Sequence, residues 1–299
     1  MSLVERPNWL PIAPWVFVIV WSAGYAVAKL ALEYTTPLNL MVLRFFGAWL
    51  LLLPLVLWFR PIWPDRRALR DLLVVATFIQ LVHFGCVYTG LALGASASML
   101  ALFAASQPVL ITLVAAAVQR QSPLPRVWLG LALGLSGAAW VIWVQGDFSQ
   151  GVLIGALLGF FAVVGLSIGQ VYEKRQRPDC HPLLVYFIQY GYATLVSLPV
   201  ALGLEGYTVT WSEPLIGSLL YLVLGNSLLG IFLMLTMVRF GAISQVTSIM
   251  FLVPGLAALI AWVLIGEVMP VIAWAGIGLA AAGVLLVIYA PAKGQVVSR

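Results

Sequence analysis

Runs of about 20 apolar residues, broken by short polar connections, recur along the whole chain at the length an α-helix needs to cross a hydrocarbon core. In order they predict spans at roughly 12–33, 37–59, 69–93, 96–118, 124–144, 151–174, 182–204, 214–238, 242–265 and 269–290. The connections carry turn punctuation: Thr36 with Pro37, Arg60 with Pro61, Pro64 with Asp65, Ser122 with Pro123, Gly146 with Asp147, and Arg177 with Pro178 and Asp179. No hydrophilic insert is long enough to fold separately. The pattern is also written twice. Pro108 recurs as Pro254, Trp128 as Trp274, Gly130 as Gly276, Gly137 as Gly283 and Ile142 as Ile288, each 146 positions on. Earlier in the chain Gly24 recurs as Gly169, Lys29 as Lys174, Pro37 as Pro182 and Pro54 as Pro199, each 145 positions on. Such regularity marks an internal duplication. It divides the chain into two five-helix repeats, residues 1–146 and 147–299. Five is odd, so the second repeat enters the membrane upside down relative to the first. The expected fold is an all-α membrane protein of ten transmembrane helices in two inverted five-helix repeats. That architecture belongs to transporters, with the substrate site near the midplane between the halves.

Composition agrees with lipid as the solvent. The 299 residues are 63% hydrophobic and 8% charged, and mean hydropathy is +1.07, whereas a soluble domain is about a quarter charged. Arg6 precedes an apolar run that is too long for a cleaved signal and reads as the first span. Cys86, inside a span, and Cys180, in a loop, do not suggest a disulfide framework. The net charge of +5 reports topology rather than a nucleic-acid partner. Arg6, Arg60, Arg66, Arg67, Arg70, Arg120, Arg126, Lys174, Arg175, Arg177, Arg239, Lys293 and Arg299 all fall on one side. The opposite loops hold no Lys or Arg. The positive-inside rule puts both termini in the cytoplasm, in a multi-pass protein of a bacterial inner membrane.

Polar groups inside spans face the bundle interior or a wet cavity, because exposure to lipid is costly. Gln80 and His83 lie about halfway along span three, one turn apart; Asn226 and Ser227 lie halfway along span eight, its duplicate. Trp21 and Tyr25 share a face of span one, and Tyr186, Gln189 and Tyr190 a face of span seven. Together they offer amide, imidazole and aromatic surfaces for a cavity. Each also has a structural role open to it: His83, Gln80 and Asn226 can hydrogen-bond neighbouring helices, and Trp21 and Tyr25 can simply pack. Gln107, beside Pro108, is expected to satisfy backbone groups freed by the proline. Arg44 lies roughly 10 Å below the outer end of span two; it either pairs with a substrate carboxylate or fixes the bundle with a partner such as Glu33. Lys29 can snorkel or pair with Glu33 at i+4. Glu173 and Lys174 read as topology determinants, and no Asp or Glu falls in the middle of a span, which favours transport without ion coupling. His83 is the one embedded group able to titrate near neutrality.

Enzyme signatures are absent. There is no Walker loop. The dinucleotide-like run from Gly276 to Ala281 lies inside a span, where small residues serve helix packing, like Gly130 and Gly134. Asp179, Cys180 and His181 lack a fourth ligand for a metal site. No cofactor is called for. A membrane enzyme would need a mid-depth catalytic pair, and His83 has no carboxylate at helical spacing.

Trp21-Ser22-Ala23-Gly24-Tyr25 with Lys29, Leu43-Arg44-Phe45, the Ala/Ser-rich entry to span four ending at Pro108, and the Gly266-Glu267 turn carry a resemblance to the drug/metabolite transporter superfamily. The chain resembles its ten-span EamA type throughout its length, and the YddG-like amino-acid exporters within it. The family usually has Glu in both copies of the turn; here Gln121 matches Glu267. The resemblance implies that spans five and ten pack together away from the cavity. It also implies export of small metabolites, foremost apolar or aromatic amino acids, by alternating access without ATP. The alternative is another metabolite or an amphiphilic drug, with proton coupling. The partners expected are the small-molecule substrate and membrane lipid, and a monomer is sufficient. The site is expected between spans one, three, four, six, eight and nine, with span seven contributing. Pro108 and Pro254 are the candidate hinges.

Overall fold

The computed structural model describes residues 8–176, 180–240 and 252–288. Arg6, Arg177, Asp179, Lys293, Arg299 and the first part of the ninth predicted span lie outside the described residues. The described chain is helical, and its one strand-like contact is the bridge between Thr35 and Val209. The helices are α1 (Ala13–Ala31), α2 (Pro37–Phe59), α3 (Arg66–Ala92), α4 (Ala97–Ala105 and Gln107–Val118), α5 (Pro125–Gln145), α6 (Gln150–Gln176), α7 (Pro182–Leu204), α8 (Glu213–Met237), α9 (Val253–Ile265) and α10 (Trp274–Ile288). Seven are long and apolar enough to cross a membrane, or eight when the two parts of α4 count as one span; α9 and α10 are shorter apolar helices.

Local chemistry sets the ends. Prolines in the first turn of α1, α2, α5, α7, α8 and α9 give up an N–H that has no helical partner there. Asp65, Ser96 and Ser212 cap α3, α4 and α8 by accepting from the N–H of Ala68, Met99 and Leu215. His181 does the same for α7, its Nδ1 accepting from Leu183 at 3.3 Å. In the α5–α6 loop the Ser149 N–H donates to Asp147 at 2.9 Å and holds that carboxyl below its usual range. The halves of α4 meet at 44°, at Ser106 and just before Pro108, so one candidate hinge sits at a bend. Pro254, the other, lies in the first turn of the described part of α9.

The core lies between helices, and large apolar side chains such as Trp58, Leu195 and Val263 point outward, as lipid-facing helices require. α5 and α10 pack backbone to backbone. A Cβ added at Gly276 would lie 2.6 Å from the Gly137 carbonyl oxygen, and one at Gly283 2.6 Å from that of Gly130. The pairing is antiparallel and depends on the absence of side chains. Gly278, in the same run, faces open space and takes no part in that packing. α2 and α7 pair through stacked rings, Phe45 on Tyr190 at 5.7 Å and Trp49 on Phe187 at 5.5 Å. Both α3 and α8 contain π-helical stretches, Thr77–His83 and Tyr221–Gly230. They occupy equivalent places in the duplicated sequence.

Candidate functional site

The π-helical stretches open the site. An i→i+5 turn is wider than an α-turn, so residues three apart splay instead of stacking. Gln80 and His83, expected on one face, are therefore directed differently. Gln80 donates from Nε2 to Gln189 Oε1 on α7 at 3.1 Å, whereas His83 meets the Ala162 carbonyl oxygen on α6 at 2.9 Å through Nδ1. A carbonyl only accepts, so the proton sits on Nδ1. In α8 the second π stretch carries Asn226 and Ser227, both buried.

Two adjoining cavities lie between these elements. The larger, about 100 Å³, is lined by Trp21 of α1, Arg44 of α2, Gln80 and Phe84 of α3, Gln170 and Glu173 of α6, Tyr186, Gln189 and Tyr190 of α7, and Asn226 and Met234 of α8. The smaller, about 20 Å³, shares Trp21, Arg44, Phe84 and Asn226 and adds Tyr25, His83 and Tyr88. α4 contributes nothing to either wall, against expectation: residues Ala97 to Ala104 are buried among other helices. The described part of α9 does not line them. α2 does, because it carries Arg44.

Arg44 joins the two spaces. Its Nε donates to Ser227 Oγ at 2.9 Å and its Nη1 to Tyr88 Oη at 2.5 Å. The guanidinium carbon stands 4.1 Å from the Phe84 ring centroid, a cation–π contact. Only 3% of the residue is exposed, and among the described residues it has no carboxylate partner. The expected pairing with Glu33 is not made; Glu33 lies exposed beyond the end of α1. Asn226, beside it, is also buried, and its Oδ1 accepts no hydrogen bond from the described residues. Its amide presses on Gly24 so closely that any side chain there would overlap it.

The other sequence-derived residues divide clearly. Tyr25, His83, Tyr186 and Tyr190 are on the walls, with the Tyr190 hydroxyl donating to the Ser227 carbonyl at 2.9 Å. Ser227 is not on a wall; it positions Arg44. Lys29 is away from the cavities, and its partner is Glu267 at 2.6 Å rather than Glu33. Gln107 donates to Gln170 at 2.8 Å instead of repairing the backbone near Pro108. Glu173, read as a topology marker, lines the larger cavity. Phe84, Tyr88 and Gln170 were not singled out in sequence. The first two are spaced i, i+4 in span three, and the depth of Arg44 alone called for an acceptor such as Tyr88.

Comparisons with known proteins follow the same lines. The model of the EamA-like transporter family matches residues 12–143 and again 153–289. The chain is 27% identical over 277 residues to the uncharacterized transporter YvbV of Bacillus subtilis (strain 168), covering 90% of this chain and 88% of that one. It is 26% identical over 271 residues to the uncharacterized inner membrane transporter YedA of Escherichia coli (strain K12), covering 90% and 87%. A solved crystal structure of a protein superposes with a TM-score of 0.63 over 93% of this chain and 96% of its own, at 16% identity, and so shares the fold.

Proposed function

The chain belongs to the EamA-like transporter family, and from that premise we propose that it exports small zwitterionic metabolites, foremost apolar or aromatic amino acids, by alternating access across a bacterial inner membrane without ATP. The reading is carried by Arg44, a buried guanidinium on the cavity wall that is held by hydroxyls and ring faces and, among the described residues, is paired with no carboxylate. A buried cation of this kind is completed by an anion. Asn226 Oδ1 is an acceptor without a donor among the described residues, one residue from the Ser227 that holds Arg44. An α-carboxylate and an α-ammonium on one carbon answer both, and Trp21, Phe84, Tyr186 and Tyr190 give an apolar side chain its wall.

Ten spans in two inverted halves are part of the proposal. The same family model matches each half. Contacts across the halves are reciprocal: Gly130 meets Gly283 and Gly137 meets Gly276, where Gly276 and Gly283 duplicate Gly130 and Gly137. A two-fold relation between antiparallel helices produces that exchange. On such an axis a residue meets its own duplicate, and Phe45 stacks on Tyr190, 145 positions on.

The test is counterflow in proteoliposomes preloaded with unlabelled amino acids, scored by uptake of labelled ones with and without a pH gradient. Uptake of apolar or aromatic amino acids that ignores the gradient is expected. Silence across the panel from folded protein would overturn the amino-acid assignment. Glu173 favours a second reading. A carboxylate on the cavity wall, bonded to no other described side chain, suits a proton-coupled carrier of amphiphilic cations. Uptake that follows the gradient, and loses that dependence in Glu173→Gln, would select it.

A further inference from the structure

The end of the bundle opposite the Lys- and Arg-rich loops is closed by two carboxylates. Glu267 follows Gly266, which ends α9 in a left-handed turn. Its Oε2 accepts from Lys29 Nζ on the last turn of α1 at 2.6 Å, and its Oε1 accepts from the N–H of Ala97, the first residue of α4, at 3.0 Å. Glu205, just past α7, accepts through Oε2 from the N–H of Leu38 at 3.0 Å and of Asn39 at 3.3 Å, at the start of α2. Both carboxylates belong to the second half of the chain, and both bind helix N-termini of the first half, where unpaired N–H groups and the helix dipole favour an anion. They therefore bridge the seam that an alternating-access carrier of inverted halves opens.

The duplicated positions at the other end lack this chemistry. Glu267 corresponds to Gln121, Lys29 to Lys174, and Glu205 to Arg60. Gln121, Lys174 and Arg60 are exposed, and among the described residues no hydrogen bond joins Gln121 to Lys174. An amide cannot hold a lysine as a carboxylate does, and an arginine at position 60 has no acceptor to offer the start of α7. His181 caps that helix instead.

We propose that Lys29, Glu267 and Glu205 form an ionic latch on one gate only, and that Gln121 and Arg60 leave the opposite gate without one. The resting carrier is thereby biased toward the state closed at the outer end, and it loads solute from the Lys- and Arg-rich side. The inference rests on the inverted-repeat, alternating-access reading and deepens it by naming what sets the resting state.

The experiment measures the outer gap by spin-label distances in the full chain in lipid nanodiscs, without substrate. Labels go on Leu93→Cys, at the end of α3, and Val268→Cys, beside the latch, with Cys86→Ser and Cys180→Ser removing the native thiols. Both labelled positions are exposed. The parent is expected to show mainly the short distance. Glu267→Gln and Glu205→Gln each raise the long-to-short ratio by about tenfold, a usual size for such coupling. Gln121→Glu raises it too, because a new pair with Lys174 holds the inner gate shut. Lys174→Gln cancels that gain and has no effect by itself. Two distances whose ratio ignores all of these changes would overturn the latch while leaving alternating access standing. A single unchanging distance in every variant would overturn both.

Discussion

Arg44 has five N–H groups to place, and the protein bonds Nε and Nη1 only to hydroxyls, while Phe84 covers one face of the ion. The residue lines both cavities. Hydrogen bonds to a charged group are worth about 1.5–3 kcal/mol, so Arg44→Gln is expected to raise KM for a carboxylate-bearing substrate by about ten- to a hundredfold. Arg44→Lys should not restore it, because one ammonium cannot reproduce a planar fork bonded to Ser227 and Tyr88 at once. KM measured with an amino acid and with its decarboxylated amine checks the assignment: the penalty should fall on the acid alone. An equal loss for both would make Arg44 a strut. The depth of this residue was legible in sequence, but its partners were not. Glu33 was the nearest acid along the chain, whereas the acceptors come from α3 and α8. The place of Glu173 on the cavity wall was hidden for a related reason. It stands beside Lys174 and Arg175 at the end of α6, a helix apolar on nearly every face, so the sequence held no information on its rotation.

At the scale of elements, helix existence followed from apolar run length, and proline and glycine placed many of the ends. Departures from ideal helix did not show. The π-helical stretches of α3 and α8 change which residues share a face, so the 3.6-residue period paired Gln80 with His83 when they bond to different helices. Small residues in α5 and α10 were read correctly as packing, except that Gly278 touches nothing. The seam gives a stability prediction distinct from the transport ones. In Gly276→Leu the first added carbon falls on the Gly137 carbonyl and the Val141 side chain, and backbone cannot yield as a side chain tip would. The helices must separate, at a cost of about 1–3 kcal/mol or more. Thermal unfolding in detergent should shift down by several degrees while KM of the surviving protein stays unchanged, because no seam residue lines the cavities. An altered KM with an unaltered melting temperature would mean that α5 and α10 act on the site rather than hold the bundle.

For the whole molecule the open quantity is how many helices cross. Length and composition give seven, or eight with the bent α4, while the proposal drawn from the duplicated pattern has ten. The difference lies in α9, whose 13 described residues reach only about 20 Å of a core about 30 Å thick, and in α10. The contacts favour ten. Glu267, in the turn between those helices, is bonded to Lys29 and Ala97 at one end of the bundle. A turn that failed to cross would stay at the end of the bundle where α8 finishes. Reporter fusions decide the matter: alkaline phosphatase is active outside the inner membrane and green fluorescent protein folds inside it. Fusions after Gly146 and after Val268 should be phosphatase-active, and those after Arg239 and at the C-terminus fluorescent. Eight spans would make the fusion after Val268 fluorescent, and seven would put Arg239 outside. Ten spans place Gly146 and Val268 outside with Arg239 between them inside, and the C-terminus inside as well, whereas nine would leave the C-terminus outside. That alternation also puts Glu267 and Glu205 on the face away from the basic loops, where a latch can hold the outer gate.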